Sequence, residues 1–199
     1  MGGIKAKGLK NVRFELDGTL LFSKHIKRWP RHADKAVFEC IEFDGFENVT
    51  FTSNGKGTID GNGKKWWGLP GIGYLIRVEN RPRLFNIGNS KNIIFENILL
   101  RQSPYWTFWG HEVDGLEIRY SDIDNRVNGA DWHDTLNLLG ALNTDGFDVT
   151  GNNVWIHHCN VWCQDDTFTI KDNSTNMVVE NVNASGIGLT IGSIADSIV

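Results

Sequence analysis

Residues 153–179 read NVWIHHCNVWCQDDTFTIKDNSTNMVV, and the echo inside them decides the fold. The stretch opens on Asn153-Val-Trp-Ile156 and returns, 23 positions later, to Asn176-Met-Val-Val179. The pattern is Asn or Gly, an apolar residue, any residue, then an apolar or aromatic one. It recurs as Asn11-Val-Arg-Phe14, Asn48-Val-Thr-Phe51, Asn92-Ile-Ile-Phe95 and Gly115-Leu-Glu-Ile118. Asn92 to Gly115 is again 23 positions. Gly115 to Asn153 is 38, one period plus a 15-residue insertion within residues 125–141.

Each unit is a short run of alternating apolar residues closed by Asn, Asp, Gly or Ser, which reads as a β-strand ended by a turn. No amphipathic helix longer than one or two turns is visible. Short strands at a fixed beat point to a solenoid. The expected fold is all-β, a parallel β-helix, with residues 1–199 as a single domain. Its coils stack about 4.8 Å apart, and Asn tolerates the left-handed turn conformation. A β-sandwich is the alternative, but its turns usually come every 8–12 residues or so. Residue 9 already reads as a strand and the chain stops on SIADSIV. Solenoids need polar caps, so the expectation is a helix incomplete at both ends that is unstable or aggregates.

The 199 residues are 40% apolar and 22% charged, with a formal net charge of −4, ordinary for a soluble globular chain. No long basic run marks a nucleic-acid or anionic-membrane surface. No apolar run is long enough to span a bilayer. The opening MGGIKAKGLK is too polar to read as a signal peptide. Cys40, Cys159 and Cys163 form no metal-type CxxC pair and read as small buried hydrophobes. Sequons at Asn48, Asn173 and Asn183 hint at secretion.

Four acids, Asp145, Asp148, Asp165 and Asp166, interrupt the apolar pattern. Asp145 and Asp165 are 20 positions apart, close to one coil, so they are expected to stack on one face. Carboxylates that close repel, so one pKa rises and an acid stands beside a base. Asp165 and Asp166 are adjacent and, in a straight strand, would face opposite ways. For both to reach one cleft the backbone must bend just before Phe168.

These residues carry a resemblance. Asn143-Thr-Asp-Gly146 followed by Gln164-Asp-Asp166 resembles family 28 of the glycoside hydrolases, the polygalacturonases and their relatives. The segments 18–22, 57–67, 103–106, 174–179 and 188–193 are similar to coils before and after that site. The resemblance implies a right-handed parallel β-helix that hydrolyses pectin by inversion. Asp165 would protonate the glycosidic oxygen, and Asp145 and Asp166 would activate the attacking water. Asn143, Gln164 and Lys171 are the candidate substrate-binding residues, Lys171 as the one nearby cation with outward parity. The resemblance implies no cofactor and no metal. It implies a pectin-like polysaccharide as partner, neither nucleic acid nor membrane, a monomer when full length, and extracellular action.

The family's third motif, Gly-His-Gly, here reads Gly186-Ile187-Gly188, and an Arg-x-Lys motif would fall beyond residue 199. Two rivals follow: a catalytically impaired β-helix that binds polysaccharide, and a hydrolase of a related polymer such as rhamnogalacturonan. Other features have plainer readings. Consecutive His157 and His158 should face opposite ways. Tyr105-Trp-Thr-Phe-Trp109 reads as half core and half cleft wall. Trp132-His133-Asp134, on the insertion, could stack on a sugar. Asp148 could brace the site or cap a turn.

Overall fold

Alternation puts every second side chain of a strand inward, and in this chain the inward set must find a core inside a coil of strands. A computed structural model describes residues 2–55, 57–67, 80–126 and 140–194. Among them the first coil is β1 (Ile4–Lys7), β2 (Lys10–Glu15) and β3 (Thr19–Leu21). The second is β4 (Ile41–Asp44), β5 (Glu47–Thr52) and β6 (Gly57–Asp60), and the third β7 (Phe85–Gly88), β8 (Lys91–Glu96) and β9 (Ile98–Arg101). The fourth runs two faces together in β10 (Phe108–Arg119), then β11 (Asp122–Asp124). The fifth does the same in β12 (Phe147–His157), then β13 (Asn160–Trp162). The sixth is β14 (Phe168–Ile170), β15 (Thr175–Glu180) and β16 (Asn183–Ser185), and β17 (Leu189–Ile191) starts another turn.

Each strand pairs in parallel with its counterpart one coil away, along the orders β1-β4-β7-β10-β12-β14-β17 and β3-β6-β9-β11-β13-β16. A sandwich is excluded by that pairing. The architecture is the parallel β-helix expected from the repeat. Chain order extends further toward the N-terminus than residue 9, since β1 begins at Ile4.

The repeat and the register coincide. Ile93 pairs with Leu116, 23 residues on, and Val154 with Met177, again 23. Leu116 pairs with Val154, 38 on, which places the insertion between β11 and β12. The motif-leading residues Asn11, Asn48, Asn92, Gly115, Asn153 and Asn176 all have φ between 51° and 79°. Side-chain amides link them from coil to coil: Asn48 Nδ2 donates to Asn11 Oδ1 at 3.1 Å, and Asn92 Nδ2 to Asn48 Oδ1 at 3.0 Å. Asn176 Nδ2 donates to Asn153 Oδ1 at 2.7 Å. The Asn48 sequon is therefore committed to this ladder.

Inside, Phe85, Phe108, Phe147 and Phe168 occupy one column, with ring centroids 5.2, 5.7 and 5.7 Å apart. All four are buried, each contributing about 1.5–3 kcal/mol of burial. The three cysteines are free and buried. Among the described residues no helix is long and apolar enough to cross a membrane.

Asn92 tests the ladder. Replacing it with Ala puts a Cβ without a local hydrogen-bonding group at φ 53°, costing about 1–2 kcal/mol besides the lost amide bond. Asn92→Gly keeps the backbone free and loses only the bond. Thermal melts should rank wild type above Asn92→Gly above Asn92→Ala; equal melting of the two variants would mean that backbone conformation is not what the asparagine supplies.

Candidate active site

The NTDG and QDD residues meet where the first strands of the fifth and sixth coils begin. Phe147 pairs with Phe168, 21 residues on. Gly146 N–H donates to Asp166 O at 2.8 Å and Phe147 N–H to Thr167 O at 3.0 Å. That register sets Asp145 level with Asp166. The expected partner was Asp165; the coil is one residue longer than the 20 assumed. The chain bends at Gln164, Asp165 and Thr167 before β14 begins, the bend that adjacent acids require. One carboxylate oxygen from each of Asp145, Asp165 and Asp166 then lies within 4.8 Å of the others.

Each motif residue has a local task. A Cβ on Gly146 would stand 2.3 Å from Thr167 O, so only glycine permits the coils to approach there. Gly186 faces the same limit, 2.5 Å from Asp165 O. Asn143, in the left-handed conformation at φ 57°, donates its backbone N–H and its Nδ2 to Asp165 Oδ2 at 3.1 and 3.3 Å. Asp165 Oδ1 accepts the Asp166 N–H at 2.9 Å. Gln164 turns its Oε1 to the Ala141 N–H at 2.8 Å and clips the turn before Asn143. Thr144 Oγ1 accepts the Gln164 N–H at 3.2 Å and donates to Ala141 O at 2.8 Å.

Asp148 lies on the outer face of β12 and is wholly buried. Lys171 Nζ stands 3.0 Å from Asp148 Oδ1 and 4.8 Å from the centre of the Trp106 ring. The candidate cation is thus engaged with a protein carboxylate. Arg83 stacks against Trp106 and Trp109 at 4.6 and 4.2 Å and pairs with Glu39 at 2.6 Å. Tyr105 and Phe108 are buried, Trp106 and Trp109 partly exposed, half core and half wall as expected, although the split does not follow strict alternation. His157 and His158 do not diverge as expected: φ of 54° at His158 turns the rings together, with Nδ1 atoms 2.7 Å apart. Trp132-His133-Asp134 lies outside the described residues.

Sequence reasoning missed Arg81. Its side chain, 3% exposed, donates to Pro104 O, Leu142 O and Asn143 Oδ1 at 3.1, 2.9 and 3.0 Å. Those partners are up to 62 positions away, beyond any local pattern.

Three like charges this close cannot all ionise at the ordinary carboxylate pKa. Burial, with Asp148 and Asp165 adding to it, pushes Asp145 up to about 9. Its Oδ1 is buried with no hydrogen-bond partner among the described residues. Burial also raises Asp165; its bonds from Asp166 and Asn143 oppose the rise. Asp148 is raised by burial, with Lys171 pulling it down.

The model for glycosyl hydrolases family 28 matches residues 2–198, and the chain belongs to that family. It is 30% identical over 189 residues to an exopolygalacturonase of Cochliobolus carbonum, covering 94% of this chain and 40% of that protein. It is 32% identical over 195 residues to exopolygalacturonase X of Aspergillus niger, covering 94% and 41%. The chain thus spans about two fifths of the length of these relatives. The polygalacturonase structure from Erwinia carotovora ssp. carotovora superposes with a TM-score of 0.75 at 23% identity, over 96% of this chain and 54% of that one. That likeness shows the fold, a right-handed parallel β-helix.

The raised Asp145 carries a stability consequence. The unfolded side chain ionises near 3.8, while the folded one keeps its proton to about 9. The folded state binds the extra proton between those values, so this group's contribution falls as pH rises through the window. Asp145→Asn removes that slope. Melting temperatures should match wild type near the acid end and exceed it at neutral pH; parallel curves across the window would refute the assignment.

Proposed function

We propose that the chain carries the acid–base centre of a pectin-degrading glycoside hydrolase, polygalacturonase-like, acting outside the cell on galacturonosyl linkages. One observation carries the reading: three family-motif aspartates bring their oxygens within 4.8 Å at one rim of the outer face. Two hydrogen bonds of about 2.8 Å at a tetrahedral angle span about 4.6 Å, so one water fits between two of these carboxylates. Asp145 and Asp166 hold that water between them. Asp166 draws the water's proton as it attacks the anomeric carbon. Asp165, its pKa raised mainly by burial, gives its proton to the leaving oxygen. Asn143 orients Asp165, Gln164 holds the turn, and Lys171, paired with Asp148, stands beside the cleft floor.

Inverting enzymes usually separate their carboxyl groups by about 6.5–9.5 Å and retaining ones by about 5–5.5 Å. The 4.8 Å here is measured between nearest oxygens, shorter than between carboxyl groups, and inversion rests on the family resemblance. The names of the relatives, exopolygalacturonases, favour release from chain ends.

A second reading has its own support. Ile187 follows Asp166 by 21 positions, one coil on, and its N–H donates to Asp165 O at 2.8 Å. Its side chain is 70% exposed and brings no proton or charge to the acids. That favours a weakened hydrolase that mainly binds polysaccharide, or one for a related polymer such as rhamnogalacturonan.

Reducing-sugar release from polygalacturonate, measured beside Asp165→Asn, separates these readings. Loss of the general acid should lower the rate about 10²–10⁴-fold. Release that survives in the variant rejects Asp165 as the acid; binding without release by folded wild type selects the second reading. Ile187→His should raise hydrolysis if that position limits the chemistry, and an unchanged rate would show that it does not.

A further inference from the structure

Asp165 is held by groups that are themselves held, and the chain of contacts ends on a residue with no part in the motif. Arg81 comes from the segment just before β7, remote in sequence from both NTDG and QDD. Its guanidinium is buried, lies 4.9 Å from the Tyr105 ring centre, and bridges Pro104 O to Leu142 O. These bonds tie the approach to β10 to the turn that carries Asn143. Nη2 then donates to Asn143 Oδ1 at 3.0 Å.

A guanidinium has donors and no acceptor. It therefore requires the amide oxygen of Asn143 to face it, and leaves the NH2 end to face Asp165. The opposite rotamer would set donor against donor at Arg81 and oxygen against oxygen at Asp165. With the amide so fixed, Asp165 Oδ2 accepts two N–H groups, from the backbone and the side chain of Asn143. A carboxylate oxygen offers about two lone-pair sites, so Oδ2 is full. Oδ1 accepts one N–H, from Asp166, and has a site left.

We propose that Arg81 is a positioning residue which, through Asn143, fixes the Asp165 carboxyl and places its transferable proton on Oδ1. The inference rests on the reading of Asp165 as general acid only for its catalytic meaning; the placement stands on the contacts. Oδ1–H gives its proton to the glycosidic oxygen as the bond to the anomeric carbon breaks, and the carboxylate left behind keeps the two Asn143 donors on Oδ2. The positive charge of Arg81 also opposes the rise of the Asp165 pKa that burial produces.

The experiment is a carboxyl ¹³C titration of the whole chain with labelled aspartate, Asp165 being assigned from the signal missing in Asp165→Asn. It is run on wild type, Arg81→Met and Arg81→Lys, with far-UV circular dichroism to show folding. In Arg81→Met the Asp165 titration should move to higher pH, and Arg81→Lys, which keeps the charge, should restore part of the shift. In the same variants, kcat on polygalacturonate should fall roughly tenfold for Arg81→Met, as small misplacements of a reacting group do. KM should change little, and the basic limb of the pH profile should follow the titration.

A folded Arg81→Met in which Asp165 titrates as in wild type overturns the proposal. If Arg81→Met does not fold, Asn143→Gly carries the same test, because glycine accepts the φ of 57°. It should then raise the Asp165 titration, and an unmoved titration again overturns the proposal. Failure of the general-acid reading shows separately, as undiminished sugar release by Asp165→Asn with the Arg81 effect on the titration intact.

Discussion

The left-handed backbone at the head of each coil's second strand is the constraint on which the rest of the structure depends. Six residues, five asparagines and Gly115, turn the chain at the same place in successive coils. Because the turn is fixed, the register between coils is fixed, and a slip of one residue would send every inward side chain outward. The phenylalanine column, the amide ladder and the alignment of Asp145 over Asp166 all follow from that one register. At Gly115 the ladder is broken, and the next asparagine, Asn153, donates instead to Asp114 Oδ1 at 2.9 Å. Gly115 keeps the backbone angle, at φ 79°, while giving up the side-chain bond. The turn, rather than the amide, is what the position cannot do without.

This explains what could be read directly from the residues. Asparagine followed by an apolar-x-apolar triplet is visible because a left-handed turn accepts few residue types. The 23-residue beat of the second strands was therefore legible, and so was the parallel β-helix. The beat of the first strands was not. Between the same two coils, Phe147 and Phe168 are 21 apart while Val154 and Met177 are 23 apart. β12 passes from one face to the next without a break, whereas β14 and β15 are separated by a loop that takes up the two extra residues. Counting from acid to acid could not see where those residues lie, and so paired Asp145 with Asp165.

The other misreadings share a cause. Parity holds only along a straight strand, and the left-handed backbone at His158 ends it, so His157 and His158 touch. Lys171 had the outward parity expected of it, but its partner Asp148 is one coil back and wholly buried, which no spacing rule reveals. Arg81 is legible only once the fold exists, because its acceptors come from two segments that the coil brings together. The NTDG and QDD motifs, by contrast, were legible through resemblance, and the structure supplies a physical reason for the glycine that ends the first. Gly146 is there because the neighbouring coil's carbonyl leaves no room for a Cβ.

That close approach bears on the chemistry of the acids. Coils of a β-helix are spaced by their backbone hydrogen bonds, about 4.8 Å apart. Carboxylates at equivalent positions of successive coils inherit that spacing whatever their side chains prefer. On a flexible loop, repelling acids would separate and each would ionise in water. On this sheet they cannot separate, and burial, with the charges of Asp148 and Asp165 adding to it, pushes Asp145 up to about 9. The stability lost at neutral pH is offset by the column of buried phenylalanines beneath the site. A rigid core is thus a condition for the acid cluster: a looser stack would let water reach Asp145 and return it to an ordinary carboxylate.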